Sequence, residues 1–253
     1  MKKFIIVLLV SILLMGIITG CADKKNNEVS ESDTVKWINT THAILTKVNR
    51  NDINLFGGMS PNSVYTDSIK VVLEEWWGVI DRTSADETIE SLIEEGHRTE
   101  YAEEMAFLKE DGLFDVSREE AREYLEALGF EIGEIESYIA SMDAYETYGI
   151  TAIDAWDYTR ALNLLGWYYI AGYYTQEEAL DKSLEVAKEL QTLYNSWEDV
   201  VESYFLGFTY WVGEDPNDSS SQLFERRKIY EELKASSNNP YQLDWNIDLK
   251  KVW

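Results

Sequence analysis

The stretch at 149–174, GITAIDAWDYTRALNLLGWYYIAGYY, constrains the fold more than any other part of this 253-residue chain. From Leu164 to Tyr174 it contains no charged residue. A helix that is apolar on all sides is either buried or in a membrane. This run is shorter than the roughly 18 apolar residues that cross a bilayer, so it predicts a buried central helix. We expect that helix to run to about Ala171, with Gly172 ending it.

The residues before this apolar run predict how the helix begins. Thr151 and Asp154 have the spacing of a capping box. In this motif the first side chain accepts from a free helix amide, and the second accepts from the backbone amide of the first residue. Asp154 also places negative charge at the positive end of the helix dipole. We therefore expect Thr151 to be the N-cap.

One polar strip crosses the start of the central helix, because polar residues recur there every three positions: Asp154, Asp157, Arg160 and Asn163. Asp157 and Arg160 are three residues apart and can pair. If the pair is buried, losing one partner would cost about 3–5 kcal/mol. Two interpretations stay open. The pair is either a recognition or catalytic pair in a cleft, or a structural pair that fixes helix packing, which is the commoner source of such arrangements.

The N-terminus has the pattern of a targeting segment. Residues 1–20 begin with Lys2 and Lys3 and continue with an apolar run, which predicts a signal peptide. The ending ITGC resembles the lipobox of bacterial lipoprotein signal peptides. That resemblance implies a diacylglycerol thioether on Cys21, further acyl chains such as palmitate, and Cys21 as the first residue of the mature chain. The alternative is an uncleaved signal anchor with an incidental cysteine.

The segment that follows predicts a tether. Residues 21–34 are polar, with Val29 as the aliphatic residue beyond Ala22, and cannot bury enough surface to fold. Two acyl chains suffice for stable anchoring. We therefore expect a domain at 35–253, lipid-anchored on the outer face of the cell membrane. Cys21 is the single cysteine of the sequence, so no disulfide can form within the chain.

The charge balance excludes one class of partner. The chain has 47 acidic and 22 basic residues, a formal net charge of -25. Binding to nucleic acid requires a basic footprint, so we expect no nucleic-acid partner. The same excess opposes close docking on anionic lipid. A basic protein or peptide is compatible with it.

The rest of the sequence predicts an all-α fold, a single multi-helix globular domain built around the central helix. Apolar residues recur at helical spacing, capping signals repeat, and there are only three prolines. The tail after 236 is expected to pack back through Tyr241, Trp245 and Trp253. Besides the central helix, we expect helices at about 35–49, 61–78, 84–95, 98–110, 117–128, 132–146, 175–194, 196–212 and 221–235, with Pro61 and Ser84 at the start of the second and third.

Motifs for catalysis and metal binding are weak. Glu94 and His97 have the Glu-x-x-His spacing of di-iron bundles, but His42, the other histidine, has no such glutamate. We therefore expect no metal and no cofactor, and we assign no catalytic residue. The aromatic run at 167–174 has two readings: it either stacks on a sugar or, more commonly at this spacing, forms core.

Four segments together resemble a bacterial family, number 1266 among the domains of unknown function. They are WWGVIDR at 76–82, LIEEGHRTEY at 92–101, AWDYTRALNLLGWYYIAGYYTQEEA at 155–179 and SWEDVVESYFLGFTYW at 196–211. The resemblance covers roughly 70–212 and implies a helical domain without an established activity, so it transfers no catalytic residue. The leader and the segment before residue 70 depart from the family pattern. The matching positions are Gly96, His97, Arg98, Trp156, Asp157, Arg160, Gly172, Ser196, Trp197 and Gly207.

The sequence therefore favours a membrane-anchored module that binds an unknown small molecule or protein. Its candidate functional motif is His97, Arg98, Trp156, Asp157 and Arg160. One alternative is a hydrolase acting on envelope material, with Asp157 or His97 as the acid/base and Arg98 or Arg160 holding an anion. The other is an inhibitor of a basic toxin or peptide.

Overall fold

Most helices of the described chain begin at a side chain that caps their free backbone amides. The computed structural model describes residues 32–253. Ser117 and Thr175 each cap a helix through their side-chain oxygen, and the backbone amide of each donates to the glutamate three residues later, as their sequences predict. The described residues form α-helices and short 3-10 turns without a strand, which confirms the all-α class. The α-helices are α1 (Asp33–Thr41), α2 (Ala43–Val48), α3 (Ser63–Trp77), α4 (Arg82–Glu94), α5 (Gly96–Glu110), α6 (Arg118–Ala127), α7 (Ile132–Tyr148), α8 (Asp154–Ala171), α9 (Gln176–Leu193), α10 (Trp197–Val212) and α11 (Gln222–Ala235).

Helix α8 lies at the centre of the domain. Every residue of α8 except Tyr169 is buried, and Gly172 ends the helix in the left-handed conformation. Helices α1, α3, α4, α5, α9 and α10 pack against it. The prediction of a buried central helix is confirmed. Within the described residues, none of the helices combines the length and apolarity needed to cross a membrane.

The loop before α3 reaches the backbone of α8 through two glycines. Gly57 lies in a 3-10 turn with a φ of 77°. A Cβ on Gly57 would lie 2.7 Å from the carbonyl oxygen of Gly166, and a Cβ on Gly166 would lie 2.6 Å from the Cα of Gly57. Neither position has room for a side chain, so this pair allows the loop to cover α8 directly.

Helices α5, α6 and α7 enclose a second group of buried side chains beside the main core. Ser137 of α7 joins this part of the molecule to α10, because its Oγ donates to the carbonyl oxygen of Thr209 at 2.8 Å. The largest buried members of the group are Tyr101, Met105, Leu125, Met142 and Ile153.

The C-terminal tail packs back onto the start of the domain. The Trp245 ring lies 4.8 Å from the rings of both Trp37 and Trp197. Its Nε1 donates to the carbonyl oxygen of Tyr194 at 3.1 Å, and its own carbonyl oxygen accepts from Trp37 at 3.0 Å. Trp253 donates to Asp181 at 3.0 Å. The expected return of the tail is therefore confirmed.

Several predicted helix starts are wrong by a few residues. Ser84 is not the N-cap of α4; Asp81 is, and Ser84 is the third helical residue of the same capping box. Pro61 precedes the N-cap Asn62 of α3. The helix expected at 35–49 is two helices separated at His42, whose φ and ψ are -110° and 19°.

The start of the central helix is the largest correction. Thr151 does not cap α8: it ends a 3-10 turn, and its Oγ1 contacts the carbonyl oxygen of Tyr148 at 3.3 Å. The free amide of Ala155 donates instead to Oη of Tyr194 at 3.0 Å and to Oγ of Ser203 at 3.1 Å. Caps supplied by α10 and the end of α9 replace the local cap that the sequence suggested.

Helix α1 begins slightly before the expected residue 35, because Ser32 caps it and Thr34 is already buried. The predicted signal peptide, the lipidation site Cys21 and the tether up to residue 31 lie outside the described residues.

Candidate functional site

Asp157 of α8 caps a different helix, α5. The N-terminal residue before α5, Glu95, makes no side-chain cap. The Asp157 carboxylate takes that role, with Oδ1 accepting from the amide of His97 and Oδ2 from the amide of Arg98, both at 3.0 Å. Both oxygens of one carboxylate therefore satisfy the first free amides of a helix about 60 residues away.

Arg98 of α5 forms hydrogen bonds with the end of α4, at the corner between the two helices. Its Nη1 donates to the carbonyl oxygen of Leu92 at 2.8 Å, and its Nη2 donates to that of Ile93. The same Nη1 lies 3.4 Å from Oδ2 of Asp157. Arg98 therefore satisfies the free carbonyls at the end of α4 while it supplies positive charge to the carboxylate that caps α5.

Arg160 completes the charge balance of Asp157. Its Nη2 donates to Oδ1 of Asp157, and its Nε donates to the carbonyl oxygen of Trp156 at 3.1 Å. The guanidinium lies 4.4 Å from the Trp156 ring and 5.6 Å from the Trp77 ring. The Arg160 guanidinium therefore packs against two aromatic rings while it pairs with Asp157.

The position of His97 determines its tautomer. Its Nδ1 lies 2.8 Å from Nη2 of Arg160 and 3.7 Å from Oδ1 of Asp157. Arg160 has no acceptor atom, so Nδ1 must accept and the proton of the neutral ring lies on Nε2. The nitrogen nearest the carboxylate is therefore not free to exchange a proton with it.

Burial and pairing together determine the pKa values of this cluster. Burial raises the pKa of Asp157, but the charge of Arg160 and the backbone amide donors of His97 and Arg98 outweigh it, and the net pKa is lowered. Burial lowers the pKa of Arg160, which Asp157 partly offsets. Asp157 is completely buried, whereas 31% of the His97 side chain is exposed. The carboxylate is thus ionised and closed to solvent.

Trp156 is held by a glycine on α10. A Cβ on Gly207 would overlap the Trp156 side chain, with Cγ of the tryptophan 2.8 Å away. The Trp156 ring packs against Tyr204, Phe208 and Trp211 at 5.5, 5.7 and 5.6 Å between ring centroids. Gly207 therefore permits the close approach of α8 and α10.

The role predicted for Asp154 from the sequence is wrong. It was expected to close a capping box, but its carboxylate is buried beside Asp157, and burial raises its pKa to about 6. The charge of Arg98 lowers that pKa in part, and Asp157 adds to the increase. The three-residue spacing of the polar strip did place Asp154 beside Asp157 on α8, whereas Arg98 comes from α5.

The candidate motif comes together in space. His97, Arg98, Asp157 and Arg160 meet at the junction of α4, α5 and α8, and Trp156 covers one side of Arg160. Asp157 and Arg160 are buried in this cluster, and donors occupy both oxygens of Asp157. Between the two open interpretations, this geometry favours the structural pair.

The other motifs have structural roles. Glu94 ends α4 and His97 lies in α5, so a helix break separates the predicted Glu-x-x-His pair. Among the described residues, no group of three or more His, Cys, Asp or Glu could hold a metal ion. In the aromatic run Trp167, Tyr168 and Tyr174 are buried, and Tyr169 and Tyr173 pack on the same core, which favours the core interpretation over sugar stacking.

Comparison with known proteins identifies the family. A family model described as a protein of unknown function, DUF1266, matches residues 72–245. The chain belongs to the DUF1266 family. The DUF1266 match extends beyond the expected limit at 212 and includes α11 and Trp245. It also confirms the resemblance found from the sequence segments.

Two relatives in Escherichia coli strain K12 are similar to this DUF1266 chain. The uncharacterized protein YbeU is 27% identical over 195 residues, covering 72% of this chain and 79% of YbeU. The uncharacterized protein YbeR is 28% identical over 195 residues, covering 77% of this chain and 79% of YbeR. No solved structure matches the chain.

Proposed function

We propose that this DUF1266 protein is a lipid-anchored binding module that recognises a basic polypeptide through the outer face of α3. The observation that supports the proposal most strongly is a row of exposed apolar side chains on that helix. Val64, Tyr65, Val71 and Trp76 are 63%, 42%, 52% and 58% exposed. Trp76 and Tyr65 are residue types that dominate the energetics of protein interfaces.

These four side chains occupy one side of α3. At about 100° per residue, positions 64, 65, 71 and 76 fall within roughly 140° of the helix circumference. Ile69 and Leu73, the buried residues of α3, lie beside this row, about 20° and 60° beyond Trp76. A helix that buries only two residues and exposes an aromatic and aliphatic row has apolar surface available for a partner.

The charges beside this row indicate the chemistry of the partner. Asp67, Glu74 and Glu75 are exposed on α3, where Lys70 is the single basic residue. The whole chain has a formal net charge of -25. A cationic amphipathic segment would place apolar side chains on the row and basic ones against these three carboxylates, and the acidic field would accelerate its association.

The central cluster gives less support to the hydrolase alternative. A general acid or base must reach a substrate proton. Asp157 is fully buried and its two oxygens bond the amides of α5, while Nδ1 of His97 faces Arg160. No geometric feature of this cluster favours catalysis over packing.

The anchor is the second part of the proposal and rests on the ITGC sequence. Ten residues lie between Cys21 and Ser32, and the eleven Cα–Cα steps that join them span at most about 40 Å when fully extended. A lipid on Cys21 would therefore hold the domain within that distance of the outer membrane face. Cys21→Ser should abolish labelling by a palmitate analogue and move the protein out of the lipoprotein fraction. Labelling that survives this change would contradict the anchor.

Binding can be tested with the leaderless chain, residues 22–253, and a fluorescent amphipathic peptide of lysine and leucine. Val71→Ser with Trp76→Ser should weaken the measured affinity at least about tenfold, which is about 1.4 kcal/mol. Phe224→Ser is the matched control, because Phe224 is 51% exposed on α11. Binding should also weaken as salt rises. Equal affinity of the α3 variant and the Phe224 variant would contradict the role of α3.

A further inference from the structure

Arg226 of α11 is a buried charge without an acidic partner among residues 32–253. It is 8% exposed, and its Nε makes no hydrogen bond. Its guanidinium lies 3.8 Å from the ring of Phe208, and its Nη1 donates to the carbonyl oxygen of Gln222 at 3.3 Å. The neighbouring Arg227, by contrast, is an exposed residue paired with Glu202 at 3.3 Å. An unpaired buried guanidinium is unfavourable unless an anion compensates it.

Two further unbonded polar atoms lie in the same part of the core. Oη of Tyr204 and Nε1 of Trp156 are buried and make no hydrogen bond. Both rings belong to one aromatic group with Phe208, the ring against which Arg226 packs. Burial raises the pKa of Tyr204, and the charge and donor groups of Arg226 and the charge of Arg160 act against that increase.

We propose that Arg226, Tyr204 and Trp156 form a site for a small anion, either a carboxylate or a phosphate group. The three unbonded atoms are Nε of Arg226, Oη of Tyr204 and Nε1 of Trp156. Each carries a hydrogen that it can donate, so a ligand needs to supply only acceptor atoms. Arg160 is paired with Asp157, whereas Arg226 has no acidic partner among the described residues. A water molecule would satisfy hydrogen bonds but would not neutralise the charge of Arg226. The acceptor that fits these donors is therefore an anion.

Trp211 marks the edge of this site nearest to solvent. It is 46% exposed, and its ring lies 5.6 Å from that of Trp156 and 6.0 Å from that of Phe208. The buried donors are thus one aromatic side chain away from the surface. The site is independent of the α3 face and of the anchor, so failure of either proposal leaves the other standing.

The test compares sodium acetate and sodium phosphate with sodium chloride at equal ionic strength, using the leaderless chain. Thermal unfolding and titration calorimetry measure binding. The Tm should rise with the logarithm of the concentration of one or both anions, since a ligand of the native state stabilises it. Acetate alone would indicate a carboxylate ligand and phosphate alone a phosphate ligand. The same Tm in both anions and in chloride would overturn the proposal.

Variants localise the effect. Arg226→Met should abolish the anion-dependent rise in Tm, whereas the matched variant Arg227→Met should retain it. Tyr204→Phe keeps the ring and removes one donor, so it should weaken anion affinity about tenfold. If Arg226→Met does not fold, the anion affinity of Tyr204→Phe tests the site on its own. A wild-type response to the anions in Arg226→Met or in Tyr204→Phe would overturn the site.

Discussion

The bare Cα of Gly96 faces the carboxylate of Asp157. A Cβ at Gly96 would overlap Oδ2 and Cγ of Asp157 and would lie 2.9 Å from Nη1 of Arg98. Gly96 also has a φ of 62°, which side chains rarely adopt. The glycine therefore allows the corner between α4 and α5 to dock on α8 with the carboxylate against the helix end.

Gly96→Ala should destabilise the protein by about 2–4 kcal/mol, because it combines left-handed backbone strain with displacement of a buried ionised carboxylate. Gly112→Ala is the control. Gly112 has a φ of 83°, and nothing lies within 4 Å of its Cβ position, so that change should cost only about 1 kcal/mol. Urea unfolding measures both. Equal losses would show that the backbone strain, and not the carboxylate, explains Gly96.

Gly207→Ala should destabilise the protein by about 1–3 kcal/mol, since its Cβ would overlap the buried Trp156 side chain. Gly133, inside α7, provides the comparison: its nearest neighbour would be a carbonyl oxygen at 3.3 Å. Alanine there gains helix propensity and should be close to neutral. The midpoint of urea unfolding separates the two variants. A neutral Gly207→Ala would show that α8 and α10 can move apart freely.

Asp154 and His42 should give opposite pH dependences of stability. Burial raises the pKa of Asp154 from 3.8 to about 6, so the folded state holds the proton more tightly and stability falls as pH rises through that window. Burial lowers the pKa of His42 from 6.5 to about 4, so the unfolded state binds the proton and stability rises over pH 4 to 6.5. The two slopes oppose each other in the wild-type protein.

Single variants should reveal each slope. Asp154→Asn removes the contribution of Asp154, which falls with pH, and leaves that of His42, which rises with pH. Between pH 4 and 6 the free energy of unfolding of this variant should therefore rise by up to about 3 kcal/mol relative to that of the wild-type protein. His42→Gln leaves the contribution of Asp154 and should give a falling profile. Unfolding in urea at a series of pH values measures both profiles. Parallel profiles for all three proteins would contradict these pKa assignments.

The parts of the fold that depend on local sequence were predictable. The uncharged run after Arg160 gave the buried central helix, and the caps at Ser117 and Thr175 gave their helices, because both signals act within a few residues. The pairing of Asp157 with Arg160 also followed from their spacing on one helix.

The parts that depend on contacts between helices were not predictable from spacing. Thr151 has the residue type and spacing of a cap for α8, but the amide of Ala155 at that helix end donates to Tyr194 and Ser203 instead. The cap of α5 likewise comes from Asp157, about 60 residues along the chain. The glycine at position 96, beside His97 and Arg98, was the available signal of a close approach.

The most direct test of the account is the free energy of unfolding of Asp157→Asn, alone and combined with Arg160→Met. If Asp157 is the structural cap of α5, Asp157→Asn should cost about 3–5 kcal/mol, because Arg160 and Arg98 would lose their buried counter-charge. Arg160→Met should then cost much less in the Asp157→Asn background than in the wild-type protein, since the pair acts as a unit. A stable Asp157→Asn protein with additive losses would contradict the structural role and make the cluster a candidate binding or catalytic site.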